Sequence, residues 1–173
     1  MNNSVFNNSL RFILLALSQV IIFKRVAFNW GDFAFIHLII YPLFIFLLPL
    51  KTPKVLVILL AFALGLFVDI FYDSPGVHAG ASTFTAYFRI YVLRMLEPYE
   101  GYGLNDSPTV ETMGLGWFMT YSSILLGVHL LTYFSLEAFS HVYLFEITMN
   151  TIFSFITSFI IIFLILLIFR PKN

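Results

Sequence analysis

Long apolar segments follow one another along almost the whole chain, and only short polar connections separate them. Of the 173 residues, 60% are hydrophobic and 10% are charged, which is far from the composition of a soluble domain of this size. A helix needs about 20 apolar residues to cross a bilayer. The chain is therefore predicted to be an all-α integral membrane protein, a single polytopic domain over residues 1–173 folded as a compact bundle of six transmembrane helices. The predicted spans are 9–23, 35–50, 54–72, 80–96, 115–136 and 145–169.

Two prolines mark the second predicted span. Pro42 lies inside it and Pro49 closes it. Proline removes a backbone donor and clashes with the preceding helical turn. A kink is therefore expected at this place, where neighbouring helices can satisfy the freed carbonyl.

The lysines and arginines of the short connections are unevenly distributed. An excess of these residues marks the cytoplasmic side of a membrane protein. If the N-terminus is cytoplasmic, the opposite side receives only Lys24 and Arg25, so both termini are predicted to be inside. The loop 97–114 falls on the same side, as a surface for a soluble partner or as a plain linker. The cytoplasmic side then receives Arg11, Lys51, Lys54, Arg94, Arg170 and Lys172.

Charged residues interrupt the third and fourth predicted spans. Asp69 lies in the third, and Arg89 and Arg94 lie in the fourth. In an antiparallel hairpin that turns near Gly76, Arg89 lies about 7 Å deeper than Asp69 by helical rise, and the two side chains lean toward each other. An intramembrane ion pair between Asp69 and Arg89 is therefore predicted.

Two roles are open for this predicted pair. A carboxylate that changes its charge could belong to a proton or ion path. A fixed pair would instead hold the third and fourth helices together. The fixed clamp is favoured, because these spans contain no second carboxylate nearby from which a relay could be built.

Small residues recur at spacings that place them on helix faces. Such faces let transmembrane helices approach closely. The last predicted span also begins with hydroxyl residues at helical spacing, Thr148, Thr151, Ser154 and Ser158, which predicts that its first half packs inside the bundle. The residues predicted to contribute to helix packing or partner contact are Ala61, Gly65, Gly76, His78, Gly80, Arg94, Gly116 and Gly127.

No pattern of catalytic, metal-binding or nucleic-acid-binding residues is found. Nine basic residues balance nine acidic ones, which gives no electrostatic footprint for nucleic acid. The chain has no cysteine, and His37, His78, His129 and His141 do not have metal-ligand spacing. His129 is expected to be a packing residue. The chain is therefore predicted not to be an enzyme and to need no cofactor or metal.

Several short motifs resemble those of a known family. In the hairpin they are Leu64-Gly65-Leu66, Asp69, Ser74-Pro75-Gly76, His78-Ala79, Arg89 and Val92-Leu93-Arg94. Elsewhere they are Leu17-Ser18-Gln19-Val20, Pro42, Leu47-Leu48-Pro49 and Gly116-Trp117-Phe118. On these motifs the sequence resembles the MreD family of bacterial rod shape-determining membrane proteins. It departs from that family at Ile90, where relatives often have proline.

The resemblance implies a non-enzymatic scaffold in the bacterial inner membrane, surrounded by lipid, that serves peptidoglycan synthesis during cell elongation. Its implied direct partner is the single-span protein MreC, and its indirect partners are the MreB filament, RodA and a penicillin-binding transpeptidase. The family is also similar in its six-helix plan to the substrate-binding subunits of energy-coupling vitamin transporters. The alternative is therefore a small-molecule-binding or transport subunit. A binding subunit should have a cavity with convergent polar groups, whereas a scaffold should have a packed interior and an exposed apolar groove.

Overall fold

The protein is described by a computed structural model over residues 3–25, 27–30, 33–103, 106–139 and 143–169. His141, Arg170 and Lys172 lie outside these ranges. Within them the chain is predominantly helical, and four helices are long and apolar enough to cross a membrane: Phe6–Arg25, Lys54–Tyr72, Leu115–Ala138 and Leu144–Ile168. The helices are α1 (Asn3–Ile21), α2 (Leu43–Leu47), α3 (Lys54–Tyr72), α4 (Val77–Met95), α5 (Val110–Met113), α6 (Leu115–Ala138) and α7 (Leu144–Phe169), with a 3₁₀ turn at Phe23–Arg25 and strands β1 (Ala27–Trp30) and β2 (Phe33–His37).

Helices α3, α4, α6 and α7 form an antiparallel series. A four-residue turn joins α3 to α4. The indole Nε1 of Trp117, near the start of α6, donates to the carbonyl oxygen of Leu96 at the end of α4. Gly127 of α6 faces the ring of Phe155 on α7. Because α4 is as long as α3 and lies between α3 and α6, it covers the same depth even though its sequence is more polar.

The start of α1 and the end of α7 lie at the same end of this bundle. Asn8 and Lys51 line one cavity, whereas Lys24, just after α1, donates to the carbonyl oxygen of Phe71 near the end of α3. Helix α1 is therefore parallel to α3. We call the end where α3 begins the basic end, because Lys51, Lys54 and Arg94 lie there. Following α3, α4, α6 and α7 in alternation returns the chain to the basic end.

The prediction that residues 35–50 form a transmembrane helix is wrong. Strand β2 pairs antiparallel with β1, and the only helix in this stretch is α2, with five residues. Pro42 caps α2 and does not kink a longer helix. Every residue from Ile39 to Leu48 is buried. A segment enclosed on all sides is apolar whatever its secondary structure, so hydropathy alone does not distinguish it from a spanning helix.

We call residues 37–48 the non-helical segment, because its only helix is the five-residue α2. Side chains from α1 and α7 satisfy its backbone. The Oε1 atom of Gln19 accepts from the amide of Ile40 at 2.9 Å, and its Nε2 atom donates to the carbonyl oxygen of Leu38 at 2.9 Å. The Oγ atom of Ser158 accepts from the amide of Ile39 at 2.9 Å. Irregular backbone at membrane depth is tolerated only where protein groups replace water in this way.

The predicted inward face of α7 is therefore present at two of its four positions. Ser154 and Ser158 are fully buried, and Ser154 accepts from the amide of His37 at 2.9 Å. Thr148 is exposed and Thr151 is half-buried. The serines serve the extended chain beside them and not only close helix packing.

Replacing Ser158 with alanine is expected to lower the free energy of unfolding by about 1–3 kcal/mol, because the buried amide of Ile39 loses its acceptor. Unfolding in mixed micelles measures this loss. The matched control is Ser135→Ala on α6, where an exposed hydroxyl donates to the carbonyl oxygen of Leu131 in its own helix. That control should change stability by less than about 0.5 kcal/mol. Equal losses for the two variants would contradict the proposed role of Ser158.

Candidate functional site: the polar core of the bundle

Asp69, near the end of α3, holds the turn that joins α3 to α4 through its carboxylate. Its side chain is buried, with 4% exposure, and the turn contains two left-handed residues, Asp73 with φ 54° and Gly76 with φ 86°. The carboxylate contacts five donors of the turn and of the first residues of α4. Oδ1 contacts Ser74 Oγ at 3.1 Å, the His78 amide at 2.9 Å and His78 Nδ1 at 3.0 Å, and Oδ2 contacts the Gly76 amide at 3.2 Å and the Ala79 amide at 3.0 Å.

The start of α4 has no local acceptor for its first amides, which explains this arrangement. The first amides of a helix have no partner within the helix, and the helix dipole favours negative charge there. Gly76 at the N-cap has no side chain to accept from them, and the first turn contains no acidic residue. Asp69 supplies the missing acceptor from the preceding helix, so one carboxylate fixes the geometry between α3 and α4.

The predicted ion pair between Asp69 and Arg89 is not formed. Asp69 pairs with His78, and Arg89 lies ten residues beyond Ala79, about 15 Å further along α4 by helical rise. The predicted geometry assumed that Asp69 leans back along its own helix. In the structure its carboxylate reaches forward to the amides of the next helix, because these donors are closer than the guanidinium.

Gly65 allows α3 and α4 to touch through their backbones. A Cβ atom added there would lie 2.4 Å from the carbonyl oxygen of His78 and 2.6 Å from the Cα atom of Ala79. Gly65 is therefore a contact within the fold and not a partner contact. The same two residues of α4 donate to Asp69, so the glycine and the carboxylate secure one junction.

The other predicted small-residue positions differ in their surroundings. Ala61 is fully buried on α3. A Cβ atom at Gly80 would lie 2.9 Å from Leu136, and one at Gly127 would lie 3.9 Å from Phe155. At Gly116 a Cβ atom would meet no described atom within 4 Å, so Gly116 makes no close helix contact among the described residues, and its alternative role in partner contact stays a prediction.

A second polar cluster lies in the middle of the bundle around His129. The hydroxyl of Thr85 donates to the carbonyl oxygen of Ala81 at 2.7 Å and contacts His129 Nδ1 at 3.0 Å. The hydroxyl of Thr85 has one hydrogen, which it donates to Ala81, so it accepts a hydrogen bond from His129 Nδ1. The Nε2 atom then accepts from the hydroxyl of Tyr41 at 2.9 Å, which in turn accepts from Ser82. As predicted, His129 is a hydrogen-bonded packing residue.

Aromatic rings enclose His78 between these two clusters. The ring centroids of Tyr72 and Tyr133 each lie 4.8 Å from that of His78, and the centroid of Tyr41 lies at 5.7 Å. Tyr72 also accepts a hydrogen bond from Gln19. His78 thus links the Asp69 turn to α1, α6 and the non-helical segment.

The third cluster surrounds Arg89 toward the basic end. Its Nε atom donates to the hydroxyl of Tyr121 at 2.8 Å, and its Nη2 atom donates to the carbonyl oxygen of Leu48. Tyr121 donates to the carbonyl oxygen of Phe46 at 3.1 Å. Arg89 and Tyr121 therefore satisfy the end of the non-helical segment. Arg94, five residues further along α4, lines a cavity with Arg89.

Three of the residues that organise this core were not predicted from the sequence. Gln19, Tyr41 and Tyr121 are all fully buried, and each connects elements that are far apart in sequence. Gln19 carried a usable signal, since an amide inside an apolar span requires partners. The tyrosines carried none, because a tyrosine in an aromatic-rich chain is most often a packing or interface residue.

The chemistry open to this core is limited. Asp69, His129 and Arg89 each contact other protein groups, and the described residues contain no group of three histidine, aspartate or glutamate side chains that could hold a metal ion. The polar clusters connect elements of the bundle to one another. Their evident role is to fix the structure.

An apolar groove of about 650 Å³ separates α1 from α3. Phe12 and Ile13 lie on its α1 wall, Leu56 and Leu60 lie on its α3 wall, and Phe44 lies on its floor. Ile13 and Leu56 are 52% and 45% exposed, so the groove opens on the surface that faces lipid.

Comparison of the chain with models of protein families, with curated proteins and with solved structures finds no match.

Proposed function

We propose that this protein is a non-enzymatic membrane scaffold of the MreD type, which holds the transmembrane helix of a single-span partner in the groove between α1 and α3. The observation that carries the proposal is the contrast between that groove and the interior. The groove is apolar, exposed and about 650 Å³ in volume, whereas Asp69 and His129 in the interior bond to other groups of the protein. Among the buried polar side-chain atoms of the described residues, His78 Nε2 and Asn150 Oδ1 lack a partner. Transmembrane helices associate through close packing of such faces.

The dimensions of the groove suit a helix. Its α3 wall extends from Pro53 to Ala63, which corresponds to a rise of about 15 Å, or nearly three helical turns. Small side chains, Ser9 and Ala63, lie along it. A partner helix could therefore approach the backbones of both α1 and α3.

In this proposal the partner is an MreC-type protein, and the scaffold acts with MreB, RodA and a penicillin-binding transpeptidase in peptidoglycan synthesis at the bacterial inner membrane. The chain crosses the membrane six times, with α4 and the non-helical segment completing the four apolar spans. The basic end, and with it both termini, faces the cytoplasm, in agreement with the distribution of lysine and arginine.

The alternative, a vitamin-binding or transport subunit, requires an interior cavity with polar groups that converge on a ligand. Asp69 and His129 instead make their hydrogen bonds within the protein, and the cavity that Arg89 lines opens at the basic end of the bundle. This favours the scaffold.

Replacing Ala63 with tryptophan should fill the groove and reduce co-purification of the MreC-type partner about tenfold, because an overpacked interface loses about 1–3 kcal/mol. The control is Val55→Trp, on the same helix, at a residue that is 70% exposed and outside the groove. Both variants should keep the stability of the wild-type protein in detergent.

Two results would contradict the proposal. The first is equal recovery of the partner with Ala63→Trp and Val55→Trp. The second is tight binding of a vitamin-like molecule by purified protein that ignores the partner, which would favour the transport subunit instead.

A further inference from the structure

Arg89 is a buried cation that has no carboxylate partner among the described residues. Its side chain is 4% exposed, and its two acceptors, the hydroxyl of Tyr121 and the carbonyl oxygen of Leu48, are both neutral. Burying a charge without an opposite charge is costly. An anion beside Arg89 would therefore stabilise the folded protein.

A cavity beside Arg89 has room for such an anion. Its volume is about 240 Å³, several times the roughly 30 Å³ that a water molecule occupies in the liquid. It lies between the start of α3 and the second half of α4. A guanidinium has five N–H donors, and the contacts with Tyr121 and Leu48 use two of them. The remaining donors are available to a group in the cavity.

The charges around this cavity select an anion. Lys54 and Arg94 line it together with Arg89, and Glu97 is the only carboxylate in its lining. Three cations and one carboxylate leave an excess of two positive charges. Lys54 and Arg94 are exposed, so the site opens at the basic end of the bundle, at the level where lipid headgroups lie.

The walls of the cavity are apolar between these charges. Val57, Ile90 and Leu93 form them, and the adjacent surface of α4 exposes Tyr91 and Met95 by 47% and 64%. A ligand with a charged head and an apolar body therefore fits better than a small hydrated ion.

We propose that this cavity binds the phosphate group of an anionic phospholipid, with Arg89 at its base and Lys54 and Arg94 at its mouth. Arginine is suited to phosphate because its N–H donors match two phosphate oxygens at once. Basic pockets between transmembrane helices on the cytoplasmic side are typical sites for such headgroups. Soluble phosphate has the same chemistry and is the competing source.

Native mass spectrometry of the purified full chain in a neutral detergent tests this site by titration with phosphatidylglycerol. The double variant Lys54→Gln/Arg94→Gln should bind the lipid about 25-fold more weakly, since each basic side chain near a headgroup contributes about fivefold. Both residues are exposed, so the variant should fold. Glu97→Gln should bind the lipid more tightly, because it removes the one repulsive charge.

Arg11→Gln is the matched control, since Arg11 is a cation near the basic end that lines neither the cavity nor the groove. It should change lipid affinity by less than about twofold. Equal binding by the double variant and by Arg11→Gln would overturn the site. Displacement of the lipid by millimolar inorganic phosphate would overturn the lipid assignment. Equal binding of phosphatidylcholine, which is zwitterionic, would overturn the requirement for an anionic headgroup.

This inference does not depend on the proposed partner. The phosphate cavity lies between α3 and α4, whereas the groove lies between α1 and α3. Lipid binding is measured without the partner, and Ala63→Trp changes only the groove. Failure of one proposal therefore leaves the other standing.

Discussion

Asparagine in place of Asp69 should lower the free energy of unfolding by about 3 kcal/mol, because a charged acceptor of several buried hydrogen bonds is lost. Asparagine keeps one acceptor oxygen but turns its amide donors toward the donors at the start of α4. Denaturant titration in mixed micelles, followed by circular dichroism, measures the change.

Asp73→Asn provides the control four residues further along. The side chain of Asp73 is exposed, and its backbone is left-handed, with φ 54°, a conformation that asparagine adopts readily. We expect a change of less than about 0.5 kcal/mol. Similar losses at positions 69 and 73 would show that the cap does not hold the turn.

A double-mutant cycle separates the cap from the ion pair expected from the sequence. Asp69→Asn and Arg89→Leu should each destabilise the protein, and their effects should add to within about 0.5 kcal/mol, as is usual for sites about 15 Å apart. Partial recovery in the double variant would mean that the two charges interact, contrary to the geometry of the turn.

Alanine in place of Gly65 should lower the free energy of unfolding by at least about 3 kcal/mol, which is the upper end of the usual cost of overpacking. This loss is similar in size to that expected for Asp69→Asn. The new methyl group would lie 2.4 Å from the carbonyl oxygen of His78. Backbone cannot rotate away as a side chain can, so α3 and α4 must separate. The amides of His78 and Ala79 would then move away from Asp69.

Gly127→Ala is the control for Gly65→Ala. Both glycines lie inside helices, so both changes carry the same gain in helix propensity. At Gly127 the added carbon would be 3.9 Å from Phe155, an ordinary contact. The midpoint of thermal unfolding, measured in detergent, should stay the same or rise slightly. A comparable loss at Gly127 would show that helix packing in this bundle is uniformly tight.

For the hairpin of α3 and α4, some features could be predicted from the sequence and one could not. Its charged residues, its turn and the close approach at Gly65 were predictable, because buried charges and small-residue faces have few explanations in a membrane. The partner of Asp69 was not predictable. Helical rise gives the depth of a side chain, but it does not show that the turn brings the first amides of α4 to the end of α3.

The secondary structure of the second predicted span, residues 35–50, could not be predicted either. The apolar run over 35–50 was predicted to be a membrane-spanning helix, but Ile39 to Leu48 are enclosed by the rest of the protein. Its secondary structure could not be predicted from the local sequence, because the groups that satisfy its backbone are distant in the chain. The partner of the Ile39 amide is 119 residues away, and no local periodicity reports such a pairing.

The non-helical segment also constrains the order in which the protein can be made. The amides of His37 and Ile39 depend on Ser154 and Ser158, which belong to the last helix. During synthesis this stretch therefore leaves the ribosome long before its partners exist. Before α7 is made, Gln19 of α1 can already bond to Leu38 and Ile40, but the amides of His37 and Ile39 would lack their acceptors in lipid. Complete membrane insertion of this stretch thus has to wait for α7, or the stretch must stay in a hydrated place such as the insertion machinery until α7 arrives.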